Sequence, residues 1–99
     1  MKKSGYQKFV DTGGQFKVYP NAVDIARDIY HNMIFEEIMR KHHVRREVIF
    51  VVNYALVRKS SVQALQLAVL KIHNRMMTCT KIKAKNIKKI LIAAEIACK

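Results

Sequence analysis

Apolar residues recur at helical spacing from residue 21 onward. The first stretch with this pattern predicts a helix over residues 21 to 39. Asn21 is suited to cap its beginning, and Asp24 and Asp28 are placed to complement the positive end of its dipole. The run RKHHVRR, residues 40–46, ends the pattern and is interpreted as a loop or a frayed helix end. The predicted buried face consists of Ile25, Ile29, Met33, Ile34 and Ile38.

The longest apolar pattern covers residues 47–77 and predicts one long central helix. Leu56, Leu67 and Leu70 widen its apolar surface beyond a single face, so this helix must be covered on several sides. Residues 48–52 alone would also fit a buried strand, but the helical stripe continues past them without a break. In this interpretation Arg58 and Lys59 fall mid-helix. The stripe consists of Val51, Ala55, Val62, Leu65, Val69, Ile72 and Met76.

A short polar link at residues 78–80 separates this pattern from the C-terminal one. Residues 81–83, Lys-Ile-Lys, alternate with the period of a strand. From Ala84 the helical period returns, with Lys88, Lys89 and Glu95 predicted to face outward. The sequence therefore predicts an all-α domain with a basic strap before its last helix. The buried face of that helix is predicted to be Ile87, Ile90, Leu91 and Ala94.

The first twenty residues differ in character from the rest. All three glycines and the single proline lie there, and no apolar period is sustained, so we predict a flexible basic arm over residues 1–20 and one domain over residues 21–99. The arm offers two functions that the sequence leaves open. Its lysines could add non-specific affinity for a polyanion, and its aromatic residues could dock on a partner. These residues are Lys2, Lys3, Lys8 and Lys17, and Tyr6, Phe9 and Phe16.

Charge is the strongest compositional signal. Nineteen Lys and Arg against seven Asp and Glu give a formal net charge of +12 on 99 residues, which favours a polyanionic partner, nucleic acid before an anionic membrane surface. No apolar run approaches the ~20 residues of a membrane span. Cys79 and Cys98 form no CxxC pair and the histidines lack zinc-ligand spacing, so we predict neither metal nor cofactor. No catalytic arrangement is recognisable either, and we predict that the protein is not an enzyme.

Residues 81–91, KIKAKNIKKIL, resemble the second-loop strap and third helix of histone-fold proteins. The predicted order of helices, a long one between two shorter ones, also resembles the arrangement in that family. The resemblance covers roughly residues 32–97. The family commonly pairs an Arg in the second loop with an Asp at the start of the third helix. Here the matching positions are Cys79 and Asn86, so the chain resembles a divergent member, such as a small kinetochore subunit or a viral or archaeal-type histone.

The resemblance implies that residues 21–99 form a histone fold that pairs with a second histone-fold chain, more readily a different chain than a copy of itself. The long helices would cross in a head-to-tail handshake. A self-contained helical bundle is the alternative explanation for the wide apolar surface. The implied interface residues are Val51, Ala55, Val62, Leu65, Val69 and Ile72.

The handshake would also place the first loop of one chain beside the second loop of the other. This implies binding to the backbone of double-stranded DNA with little sequence preference, in the nucleus on a chromosome or in a viral nucleoprotein. Three alternatives stay open. The charges are simply solvated on the surface, the protein is an interaction subunit of a kinetochore or transcription assembly, or it is a helix-turn-helix regulator. The last is disfavoured because such a motif usually has glycine in its turn, and no glycine occurs from residue 21 onward. The candidate DNA-binding residues are Arg40, Lys41, Arg45, Arg46, Lys81, Lys83, Lys85 and, more weakly, Arg27.

Overall fold

A computed structural model describes residues 20–78 and 81–99, and these residues form five α-helices. The all-α prediction is therefore confirmed for the described part of the chain. The predicted arm, apart from Pro20, lies outside the described residues, as do Cys79 and Thr80. The helices are α1 (Ala22–Tyr30), α2 (Phe35–His42), α3 (Arg46–Arg58), α4 (Val62–Met76) and α5 (Ala84–Ala97).

The predicted first helix is divided into α1 and α2. Asn21 caps α1 as expected, since its side-chain oxygen accepts hydrogen bonds from the N–H groups of Val23 and Asp24 at 3.0 and 3.2 Å. The chain then turns at Asn32, whose φ of 60° is a left-handed conformation that asparagine tolerates. This turn leaves Ile34 62% exposed, so its predicted place on the buried face is wrong.

Residues 40–46, interpreted as a loop or a frayed helix end, are divided between α2 and a short connection. Residues 40–42 form the last turn of α2, and only residues 43–45 connect α2 to α3. His43 ends α2 in a left-handed conformation with φ 54°, and the next residue, Val44, is buried. The connection is therefore a tight turn anchored in the core.

The prediction of one long central helix is wrong, because residues 59–61 divide it into α3 and α4. Lys59 has φ 56°. The N–H groups of Lys59 and Ser60 donate to the carbonyls of Leu56 and Ala55, the paired hydrogen bonds that close many helix C-termini. Ser61 then accepts a hydrogen bond from the N–H of Ala64 at 3.1 Å and caps α4. One helix ends and the next begins within three residues, with both ends satisfied.

The last three helices run alternately up and down. The beginning of α3 and the end of α4 approach each other, since Val48 and Met76 line one small cavity. At the opposite end, Ser60, before α4, contacts Glu95, near the end of α5. Helices α3 and α5 therefore run in the same direction, with α4 antiparallel to both. Helix α1 packs against α2, α3 and α4.

This folding back lets a single chain cover its own apolar stripe. Five of the six residues that the resemblance implied for a dimer interface are buried in the core of one chain, and Val62 is 60% exposed. One straight helix would have needed a partner chain to cover this surface. Two antiparallel helices bury the same stripe against each other. The five buried residues are Val51, Ala55, Leu65, Val69 and Ile72.

The strap and the last helix agree with the sequence pattern. Ile82 is buried, while Lys81 and Lys83 are exposed. In α5 the residues Ile87, Leu91 and Ala94 are buried and Ile90 is half-buried, as the helical period predicts. Glu95, predicted to face outward, is partly buried.

A buried carboxylate joins α1 to α2. Asp28 is 8% exposed, and its carboxylate lies 2.6 Å from Nε2 of His42 and 3.1 Å from Nζ of Lys41. The hydrogen bond with His42, reinforced by Lys41, holds the pKa of Asp28 below its ordinary value despite burial. Asp28 therefore links two helices, and its predicted role at the helix dipole is wrong.

Candidate nucleic-acid interface

The beginnings of α3 and α5 meet at a cleft of about 600 Å³, which we call the basic cleft. Helices α3 and α5 run in the same direction, so both point their N-terminal ends at this cleft. Helix α2 and the strap close its sides. The residues that line it are Met39, Arg45, Arg46, Glu47, Phe50, Lys81, Ile82, Ala84 and Ile87.

Three predicted DNA-binding residues come together here. Arg45 and Arg46 belong to the start of α3, and Lys81 belongs to the strap. The resemblance implied that the first and second loops would meet across two chains. The structure brings them together within one chain, because α4 returns the chain to the end where α3 began.

The two helix starts at the cleft carry basic residues where capping residues are usual. Arg45 occupies the N-cap of α3 and Lys83 that of α5, and neither supplies a side-chain capping bond. In contrast, Asn21 and Ser61 cap α1 and α4 with side-chain oxygens. Cations at a helix start add to the positive end of the dipole, and an anion relieves that repulsion. Lys85 is exposed in the first turn of α5 and adds to the same positive region.

The other candidates lie elsewhere. Arg40 is exposed on the last turn of α2 and does not line the cleft. Lys41 is paired with Asp28. Arg27, on α1, lies 3.7 Å from Asp24. Three of the eight candidate residues therefore line the cleft, and two more, Lys83 and Lys85, lie beside it.

A row of two aromatic residues between two arginines on α3 was not predicted from the sequence. Arg46, Phe50, Tyr54 and Arg58 follow one another at intervals of four residues, so they form one row along the helix, which we call the α3 row. Phe50 lines the cleft and is 36% exposed. Its signal in the sequence is the spacing of four residues between each cation and the neighbouring ring, which overlaps with the apolar stripe of Val51 and Ala55 in the same stretch.

The far part of the α3 row contacts α5. Lys88 Nζ lies 5.3 Å from the centre of the Tyr54 ring, and the Arg58 guanidinium lies 5.7 Å from it. Both distances are within cation–π range. Arg58 also donates to Glu95 at 2.8 Å. The prediction that Arg58 and Lys59 lie mid-helix is wrong, because Arg58 is the last residue of α3 and Lys59 follows it.

Within residues 20–78 and 81–99, no three His, Cys, Asp or Glu side chains are grouped to hold a metal ion. No helix in that part of the chain is long and apolar enough to cross a membrane. Neither a protein-family model, nor a curated protein, nor a solved structure gives a significant match to this sequence. The function has to be inferred from the residues and their arrangement.

Proposed function

We propose that this protein binds the phosphate backbone of nucleic acid at the basic cleft, as a non-catalytic protein of chromatin or a related nucleoprotein, with double-stranded DNA as its expected partner. The observation that carries the proposal is the convergence of Arg45, Arg46 and Lys81 on one cleft of a chain with a net charge of +12. Phosphate contacts of this kind supply most of the non-specific affinity of DNA-binding proteins. A nuclear, chromosomal location follows as a prediction.

The cations at the cleft favour contact with the backbone over the reading of bases. Arginine and lysine at helix starts position a protein on phosphates, whereas sequence is read by polar side chains that reach base edges. The uncapped starts of α3 and α5 add backbone N–H groups to this set. We expect affinity to depend strongly on salt and weakly on sequence.

The test compares two double variants that remove the same charge. Arg45→Ala with Arg46→Ala removes cations at the cleft, while Lys59→Asn with Lys99→Ala removes two exposed lysines at the opposite ends of α3 and α5, roughly 20 Å away along the helices. Asparagine is chosen at position 59 because it tolerates the left-handed conformation. For each phosphate that a variant no longer neutralises, the log–log salt slope of DNA binding should fall by about 0.9. Equal slopes for the two variants would contradict the proposal.

We also propose that the protein pairs with a second histone-fold chain, as the resemblance implies. For this to happen, residues 59–61 must become helical, so that α3 and α4 form one continuous helix. The contacts that α3 and α4 make with each other in one chain would then form between the two chains. Two observations support such an opening. The turn contains no Gly or Pro, and Lys59 adopts a conformation that is unfavourable for a residue with a side chain.

A protein-interaction subunit with little DNA contact is the second candidate. The exposed apolar side chains of Val57 and Ile96 favour it, since these are 74% and 62% exposed near the ends of α3 and α5. A correctly folded chain that does not bind DNA at low salt would support this candidate over the first.

A further inference from the structure

The walls of the basic cleft are apolar as well as charged. A phosphate backbone lying across the cleft uses the cations at its rim and leaves the apolar wall unoccupied. The cleft is open to solvent, and its volume of about 600 Å³ is within the range of roughly 300–1,000 Å³ typical of small-molecule clefts. The apolar residues of the wall are Met39, Phe50, Ile82, Ala84 and Ile87.

Phe50 gives this wall a flat, accessible surface. Phe50 is 36% exposed, although its neighbours Ile49 and Val51 are fully buried. It follows Arg46 by one helical turn on the α3 row, so a ring and a cation stand side by side at the cleft. Glu47 also lines the cleft and supplies a carboxylate that accepts hydrogen bonds. An aromatic face, a cation and an acceptor together match a nucleotide, whose base stacks and carries donor groups.

The α3 row extends this arrangement by one further turn. Tyr54 follows Phe50 on α3, and Lys88 of α5 lies against its ring. Bases stack on aromatic side chains while phosphates follow lysine and arginine in proteins that bind single strands. Lys88 therefore places a further cation against an aromatic ring, one helical turn beyond Phe50.

We propose that the basic cleft holds an unpaired nucleotide of a single-stranded segment, with the base against Phe50 and the phosphate between Arg46 and Lys81. This inference rests on the proposed function, because the same cations hold the backbone. It adds that the cleft distinguishes single strands from duplexes. A paired base has both its faces stacked within the duplex, and only an unpaired one is available to the ring of Phe50.

The experiment measures binding of a single-stranded oligonucleotide of about 12 thymidines and of a duplex of similar length by fluorescence anisotropy. Phe50→Leu keeps an apolar side chain and removes the aromatic face, and Phe50→Tyr restores the face. Phe35→Leu is the matched control, since Phe35 is 44% exposed at the start of α2 and does not line the cleft. Circular dichroism checks that all variants remain folded.

We expect Phe50→Leu to weaken single-strand binding about tenfold, which is within the range for loss of one stacked base. Phe50→Tyr and Phe35→Leu should bind both probes as the unchanged protein does, and duplex binding should not respond to Phe50→Leu. Equal effects of Phe50→Leu on both probes, or none on either, would overturn this inference. The Arg45 and Arg46 double variant separates the two proposals: if it has no effect on either probe, the phosphate site itself is wrong.

Discussion

The guanidinium of Arg58 donates a hydrogen bond of 2.8 Å to the carboxylate of Glu95, which joins the end of α3 to the last part of α5. The hydroxyl of Ser60 donates to the same carboxylate at 2.6 Å. Glu95 thus holds both the end of α3 and the turn that follows it. The hydrogen bond from Arg58, and then that from Ser60, lowers the pKa of Glu95 below its ordinary value of 4.5.

We predict that Glu95→Gln lowers the melting temperature near neutral pH, with a deficit that shrinks in acid. A carboxyl whose pKa is lowered by folding stabilises the folded state above its ordinary pKa, and this contribution is lost as the pH falls through the lowered value. The difference between variant and unchanged protein should therefore be full above pH 4.5 and small at strongly acid pH. Thermal unfolding followed by circular dichroism measures it. Glu36→Gln, at an exposed position on α2, is the control for the removal of one carboxylate.

We predict a graded loss of stability when Asp28 is replaced. Asp28→Asn keeps a hydrogen-bonding group for His42, whereas Asp28→Leu leaves the His42 ring, 12% exposed, without this partner. The midpoint of urea unfolding should fall from the unchanged protein to Asp28→Asn and again to Asp28→Leu. Asp24→Asn in the same helix should change stability by no more than about 0.5 kcal/mol. Equal midpoints for the two Asp28 variants would mean that the contact with His42 does not stabilise the fold.

We predict that Lys59→Gly stabilises the chain by roughly 0.5 to 1 kcal/mol. Glycine removes the cost of the left-handed conformation at φ 56°, and its greater freedom in the unfolded chain offsets part of this gain. In one continuous helix the same substitution would destabilise by about 1 kcal/mol. The sign of the change in urea unfolding therefore distinguishes a turn at residue 59 from a long central helix.

The same substitution tests the proposed pairing. If chains pair by straightening the turn, Lys59→Gly should favour the closed monomer, and Lys59→Ala should favour the dimer because alanine prefers a helix. Sedimentation over a range of protein concentrations measures the populations. Concentration-independent monomers for the unchanged chain and both variants would contradict self-pairing. Pairing with a different chain would then be tested by co-sedimentation with candidate histone-fold partners.

Local chemistry predicted much of the fold. The helical period correctly placed α5 and its buried residues, because three of its four predicted core positions are fully buried and the fourth is half-buried. Asn21 was recognisable as a cap because it is a short hydrogen-bond acceptor that precedes a helical apolar pattern. The same property allows it to accept hydrogen bonds at the start of α1. The alternation in residues 81–83 agrees with the burial of Ile82 between two exposed lysines.

The break at residues 59–61 and the formation of the basic cleft depended on the tertiary structure. A helical period indicates which face of a helix is apolar, but it does not indicate whether the chain reverses direction. One straight helix and two antiparallel helices therefore give the same apolar stripe in the sequence. Lys59 gave no sign of a left-handed turn in the sequence, because glycine usually occupies such a position. Arg46 and Lys81 lie at the same end of the molecule because α4 packs antiparallel to α3. The sequence by itself determined that residues 20–78 and 81–99 are helical and that the chain is strongly basic. The tertiary structure decided where the charges meet, because that depends on which buried faces cover one another.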